Sequence, residues 1–261
     1  MELDLTGRVA VVTGASKGIG LAITTMLVEE GVQVYAGARE ASDELNTLGE
    51  TGRVEFIEAD LGTPNGATAL VNAATSSGRL DILVNNVGAV TPRLVGFLAV
   101  TDEQWTHSLN LNLMAAVRTT RAALPTMLAQ RQGAIVTTSS VNAFLPDPAV
   151  IDYSAAKAAL SNFCKSLSKE VGPYGVRVNT VSPGPVATDL WLGDNGVAAT
   201  IARDTGQNAS AVAESAASDS VTGRFTLPSE VAGLVVYLAS DRAANITGGN
   251  FTIDGGLTMT L

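Results

Sequence analysis

Tyr153 and Lys157 stand four residues apart in Tyr153-Ser154-Ala155-Ala156-Lys157. On a helix that spacing puts a phenol and an ammonium on one face. A phenol with a pKa near 10 is a poor acid–base group at neutral pH. A cation one turn away stabilises phenolate and is expected to draw the pKa toward the working range. Ser140 lies 13 residues earlier, behind a β-branched run, where an open α/β sheet places its ligands. The chemistry available to this set is proton transfer at an oxygen. One histidine, His107, excludes multi-histidine zinc sites and Ser-His-Asp machinery that needs a better placed imidazole. His107 itself reads as a surface or interface residue, and no metal site is expected.

A second chemistry lies near the start of the chain. Thr13-Gly14-Ala15-Ser16-Lys17-Gly18-Ile19-Gly20 follows an apolar run and opens a helical pattern. Glycines there let the backbone turn sharply against a pyrophosphate, while the helix N-terminus offers unpaired N–H groups to an anion.

The elements that position these groups alternate along the chain. Short apolar runs at Val9–Thr13, Val32–Ala36, Val54–Ile57, Ile82–Val84, Ala134–Thr138, Val176–Val181 and Phe251–Ile253 read as buried parallel strands. Ile19–Glu30, Pro64–Ser77, Asp102–Gln130, Tyr153–Val171 and Ser229–Ser240 read as crossover helices. The pattern predicts an α/β fold, a parallel sheet with helices on both faces. Within Asp102–Gln130 the expectation is a start at Asp102, a kink or break at Pro125 and closure by Gly133. Residues 189–223 carry no strand-like run and read as an excursion or lid on one domain spanning 1–261.

Composition narrows the partners. Apolar residues make up 46% and charged residues 16%, enough to bury a large core. A formal charge of −9 argues against nucleic-acid and anionic-membrane partners and leaves small neutral ligands. No leader and no span of 18 uninterrupted apolar residues is present. The single Cys164 cannot form an internal disulfide, so a cytoplasmic location is expected. Cys164 reads as core or subunit interface, out of phase with Tyr153 and Lys157.

The glycine octet resembles the TGxxxGxG fingerprint of the short-chain dehydrogenase/reductase family, and further motifs follow in order. Asn85-Asn86-Val87-Gly88 is similar to the family's NNAG, with Val87 in place of Ala. Asp60-Leu61 resembles the pair that meets the adenine, and Pro183-Gly184-Pro185-Val186-Ala187-Thr188 the segment that holds the nicotinamide carboxamide. Ser140, Tyr153 and Lys157 match the catalytic serine, tyrosine and lysine. Asn112 matches the asparagine that holds a proton-relay water. The resemblance runs from about Leu5 to Gly256.

It implies a Rossmann-type, doubly wound, seven-stranded sheet and an NADP(H)-dependent enzyme of the carbonyl reductase type. Tyr153 would protonate the carbonyl oxygen as hydride arrives at carbon, with Ser140 steadying that oxygen. Lys157 would bind the nicotinamide ribose and lower the Tyr153 pKa. The implied cofactor contacts are Gly14, Ser16, Lys17, Gly18, Ile19, Gly20, Arg39, Asp60, Leu61, Asn86, Gly88, Tyr153, Lys157, Pro183, Gly184, Val186 and Thr188. Ala38 stands where NAD-preferring relatives carry an acidic residue, and Lys17 and Arg39 resemble the cations that hold a 2′-phosphate.

The substrate pocket is expected between Ser140, Val141, Asn142, Leu145, Val150 and Tyr153 on one side and Leu190 and Trp191 on the other. These walls lack Lys and Arg. A neutral ketone or aldehyde is therefore favoured, with Arg93 the one cation able to anchor an anion. A 3-oxoacyl-carrier-protein reductase is the alternative, with Arg131 suited to docking an acidic carrier and Tyr174 where a second basic residue is usual. A noncatalytic NADP sensor or scaffold is the alternative of another class. The family implies a homotetramer, with Asp102–Gln130 and Tyr153–Val171 at one interface. Ala156, Ala159 and Phe163 are compatible with that packing.

Overall fold

Strands β1 (Val9–Thr13), β2 (Gln33–Ala38), β3 (Val54–Glu58), β4 (Ile82–Asn85), β5 (Gly133–Thr138), β6 (Val176–Pro183) and β7 (Asn250–Ile253) form one sheet in the computed structural model, which describes residues 2–260. All pairings are parallel, in the order β3-β2-β1-β4-β5-β6-β7. The helices are α1 (Gly18–Glu29), α2 (Asp43–Gly49), α3 (Pro64–Thr75), α4 (Asp102–Leu109), α5 (Ala115–Gln130), α6 (Ile151–Val171), α7 (Asp189–Leu192), α8 (Val197–Thr205), α9 (Ala209–Ser218) and α10 (Pro228–Ala239).

Side-chain alternation along each strand feeds two cores. Ala10, Val12, Ile82 and Val84 join Ile23 and Leu27 of α1 and Val231, Val235 and Leu238 of α10 on one face. Val11 and Leu83 join Leu70 of α3, Met127 of α5 and Leu160 of α6 on the other. A sheet covered on both faces needs apolar residues at consecutive strand positions, which is why these strands read as unbroken runs. The chain winds outward from β1 in both directions. Between β1 and β4 the strand order reverses, and there the carboxyl ends open a crevice.

The segment 102–130 departs from expectation. The helix starts at Asp102 as expected, capped by Thr101 in a box with Gln104, but its interior and its end differ. The break falls at a π-helical turn, Asn110–Met114, and not at Pro125, which lies inside a continuous α5 with its ring exposed. Arg131, in the left-handed region at φ 52°, ends α5. Gly133 is the first residue of β5, where a Cβ would press on Met127. Residues 189–223 fold mainly into α7, α8 and α9, with a small core of Ala198, Ala202 and Val212. The short α2, capped by Ser42, has no counterpart in the apolar pattern.

The crevice is closed at its base by a contact that leaves no room for a side chain. A Cβ on Gly20 would collide with the Gly14 carbonyl oxygen and lie 2.6 Å from Asn86 Nδ2. Asn86 Nδ2 itself donates to the carbonyls of Thr13 (3.2 Å) and Gly14 (3.3 Å). Gly20→Ala is therefore expected to cost about 1–3 kcal/mol of stability through overpacking. It should also weaken dinucleotide binding by roughly tenfold or more, read by thermal melting and fluorescence titration. Unchanged affinity would show that the turn tolerates displacement.

Candidate active site

Thr13, the last residue of β1, organises the crossing of β1 and β4. Its Oγ1 accepts from the Asn86 and Val87 N–H groups at 2.8 and 3.1 Å and donates to the Val84 carbonyl at 3.3 Å. Asn85 is pinned from behind, its Oδ1 accepting from Thr119 at 2.6 Å and its Nδ2 donating to Thr120 at 3.0 Å. Val87 packs into the core on the α3/α5/α6 face. Gly14 and Gly18 hold φ of 65° and 55°, in the left-handed region where glycine is favoured. Lys17 is the N-cap of α1 but makes no side-chain cap bond, and no acidic residue occupies the first turn. The helix N-terminus is thus open to an anion. The Thr188 methyl would lie 3.2 Å from a Gly18 Cβ, so the segment after β6 lies against this turn. Ser16 and Ile19 are half-buried within it.

Beyond the turn, Ala38 is buried at the end of β2, and Arg39 and Lys17 are exposed with no side-chain hydrogen bond or ion pair among the described residues. Glu58, exposed at the end of β3, pairs in register with Ala38, a carboxylate the sequence reading did not place on this edge. Asp60 Oδ1 accepts from the Gly62 N–H at 2.9 Å, and the side chain stays exposed. Leu61 and Val186 are buried, 3% and 4% exposed, so only their main-chain atoms are open to a ligand. Pro183 ends β6, and the Gly184 N–H donates to the Ile253 carbonyl at 3.0 Å.

Lys157 lies inside the protein, 3% exposed, with Nζ donating to the Thr138 carbonyl at 2.9 Å. Burial lowers its pKa to about 8. Its ammonium sits 5.7 Å from the Tyr153 ring centroid. The Tyr153 phenol is pushed above its ordinary value by burial, an effect that the Ser140 hydroxyl partly offsets. The expected lowering of the phenol by Lys157 is thus corrected: desolvation prevails, and the lysine's own charge is weakened by the same burial. Asn112 lies in the π turn, where irregular helix often marks function. Its Oδ1 accepts from the Ala89 N–H at 3.0 Å, and its Nδ2 donates to the Ala89 carbonyl at 2.8 Å. A Cβ on Gly88 would come 2.9 Å from Asn112 Oδ1 and 3.4 Å from Lys157 Nζ. Gly88 is therefore the bare wall against which these two groups meet.

Ser140 follows β5 and caps the next turn, donating to Asn142 Oδ1 at 3.2 Å and accepting from the Asn142 N–H at 3.2 Å. Asn142 Nδ2 reaches the Leu145 carbonyl at 3.4 Å. Leu145 is exposed, Val141 buried, and Val150 buried at the start of α6. Leu190 is exposed, while Trp191 packs against Phe225 in a tilted arrangement, ring centroids 5.4 Å apart and planes at 55°; Phe225 escaped the sequence reading. Arg93 is not a free anion anchor, because its Nη2 is bound to Asp152 at 2.7 Å. Cys164 is buried and, seven residues past Lys157, shares its helix face. The two are electrostatically coupled, and burial raises the thiol to about 11, which corrects the expected phase. Ala156 is fully buried in its own chain, and the exposed small face of α6 is Ala155, Ala158 and Ala159. His107 is exposed.

The family model for short chain dehydrogenases matches residues 8–195. The chain belongs to this family. It is an oxidoreductase by that membership. Among curated relatives, the 3-oxoacyl-acyl-carrier-protein reductase FabG of Vibrio harveyi is 37% identical, covering 98% of this chain and 100% of its own. A putative ketoacyl reductase of the monensin polyketide synthase from Streptomyces virginiae is 39% identical over 97% of both chains. The crystal structure of the L-sorbose reductase of Gluconobacter frateurii, complexed with NADPH and L-sorbose, superposes with a TM-score of 0.91 at 36% identity over all of both chains. A short-chain dehydrogenase uses a nicotinamide dinucleotide, and the open α1 terminus, the bare Gly88 wall and the buried Lys157 ammonium fit such a group.

The Lys157 shift has a testable sign. With the folded pKa near 8 and the ordinary value at 10.5, the unfolded chain binds more protons between those limits. The buried charge is a full cost below about pH 8, relieved as the pH rises toward 10.5. In the cofactor-free protein the stability of Lys157→Met relative to wild type should fall by up to about 3 kcal/mol across that window, measured by denaturant unfolding. A constant difference would place the lysine in water.

Proposed function

We propose that the protein is an NADPH-dependent reductase of neutral ketones and aldehydes, acting reversibly on the corresponding alcohols. The observation that carries this reading is the buried Lys157 ammonium one helical turn from a phenol held in its protonated form. When bound, the reduced nicotinamide supplies the hydride. Tyr153 gives its proton to the carbonyl oxygen. Ser140 turns its hydroxyl from Asn142 to that same oxygen and steadies the developing charge. Lys157 spends one N–H on Thr138 and has two left for the ribose hydroxyls. Asn112, with its side chain held by Ala89, fixes the π turn through which a water relay would reach solvent.

Lys17 and Arg39 would grip the 2′-phosphate, two unpaired cations on an edge that also carries the carboxylates of Glu40 and Glu58. The segment 189–223 would close over the substrate as a lid on a chain that is one domain. With Arg93 neutralised by Asp152, the pocket would hold no free cation, in keeping with an uncharged substrate. We further propose a cytoplasmic homotetramer assembled through α4, α5 and the exposed small face of α6; no described helix is long and apolar enough to cross a membrane. A second reading, a 3-oxoacyl-carrier-protein reductase, is favoured by the 37% identity to FabG. Against it, the surface at Arg131 offers one cation beside the exposed Tyr174, and the net charge of −9 repels an acidic carrier.

Tyr153→Phe should keep NADPH affinity within about twofold and lower kcat by about 10²–10⁴-fold, measured under saturating ketone. Retention of more than half of kcat would show that Tyr153 is not the proton donor. Neutral ketones should exceed keto acids in kcat/KM, because a carboxylate would be desolvated without a partner. A keto acid reduced faster than its own ester would contradict this, and a carrier-linked substrate preferred over its free ketone would favour the second reading.

Wild type should prefer NADPH to NADH by roughly 10²-fold in kcat/KM. Ala38→Asp should reverse that order, and Arg39→Ala should raise KM for NADPH alone. Equal wild-type use of NADH would mark both cations as surface charges.

A further inference from the structure

The loop that follows β4 touches the site at two places. At Ala89 its N–H and carbonyl are both held by Asn112. At Arg93 its N–H donates to the Ala149 carbonyl at 2.6 Å, and the guanidinium Nη2 and Nε both donate to Asp152 Oδ2, at 2.7 and 3.3 Å. Arg93 and Asp152 are 11% and 2% exposed. Asp152 immediately precedes Tyr153, and its other oxygen, Oδ1, is buried with no hydrogen-bond partner.

On the helix side the other restraint is local: Asp147 Oδ1 accepts from the Ala149 N–H at 2.8 Å, and Ser154 Oγ accepts from the Asp147 N–H at 3.4 Å. The Val150 N-cap of α6 makes no side-chain cap bond. The ion pair at this end of the helix that carries Tyr153 comes from a residue 59 positions away. Beyond Arg93 the loop is held by local backbone bonds, Gly96 to Arg93, Ala99 to Gly96 and Val100 to Phe97, and Val95 and Leu98 are 78% and 97% exposed. Two N–H groups on one carboxylate oxygen, with the backbone bond three residues earlier, make a two-point clamp. A buried pair is weak evidence for stability, since an apolar pair of similar volume often serves as well. The clamp therefore calls for another reason.

We propose that Arg93 is a positioning residue: through Asp152 it ties the loop that Asn112 holds to the backbone entering Tyr153, so that the two site residues move as one body. This rests on the reading of Tyr153 as the proton donor. A misplacement of about 1 Å can cost about 10²-fold in rate, which sets the expected scale.

The test separates positioning from folding. Arg93→Met alone strands a buried carboxylate and is expected to be unstable. The charge-free pair Arg93→Met with Asp152→Leu removes that penalty. It should melt within a few degrees of wild type and bind NADPH with unchanged Kd, yet lose about 10–100-fold in kcat and raise the ketone KM. Wild-type kcat at wild-type Tm in this double variant would overturn the proposal. Should the double variant fail to fold, Arg93→Lys decides. A fall in kcat of about threefold or more at unchanged NADPH Kd upholds the clamp, and an unchanged kcat overturns it. The Tyr153→Phe result stands apart: an active Tyr153→Phe enzyme removes the underlying reading, whereas an inactive one with a fully active double variant removes only this inference.

Discussion

A lysine ammonium held inside the protein with one carbonyl for a partner is the constraint on which the rest of the site depends. Burying a cation is unfavourable unless it is bonded, and Lys157 has only the Thr138 carbonyl among the described residues. Its pKa falls to about 8 as a result. Tyr153 and Lys157 share a face, and that face is laid against the end of β5. What is lost in stability is held as unsatisfied hydrogen-bonding capacity beside Gly88, where ligand hydroxyls would be welcome.

The sheet supplies the geometry for this. Strand order reverses beside β1, and the site residues hang from the carboxyl ends of β1, β4, β5 and β6 or from the helices that follow. Thr13 ties the β1 and β4 ends together, Asn85 ties β4 to α5, and Asn112 ties the loop after β4 to the π turn. These bonds run between backbone and small polar side chains. They fix the crevice without filling it.

Much of this was legible in the sequence because the signals are local. Strands buried on both faces must be continuous apolar runs, so β1 to β7 could be found from Val9–Thr13 onward. The glycine turn and the Tyr153–Lys157 spacing are set within eight residues. What could not be seen depends on partners far along the chain. The π turn at Asn110–Met114 is a change in hydrogen-bond register with no compositional mark, so composition points to Pro125 instead. Arg93 looked like an available cation because Asp152, 59 residues later, is invisible as its partner. The rise in the Tyr153 pKa followed from burial, which spacing alone does not report. Glu58 beside Ala38 came from strand register.

The charge state of Lys157 in the cofactor-free protein is the most direct test of the account. Heteronuclear NMR titration of the Lys157 side chain, assigned by comparison with Lys157→Met, should give a midpoint near 8. A midpoint near the ordinary value of 10.5 would mean that the ammonium is solvated, and the argument that burial leaves it waiting for a ligand would be wrong.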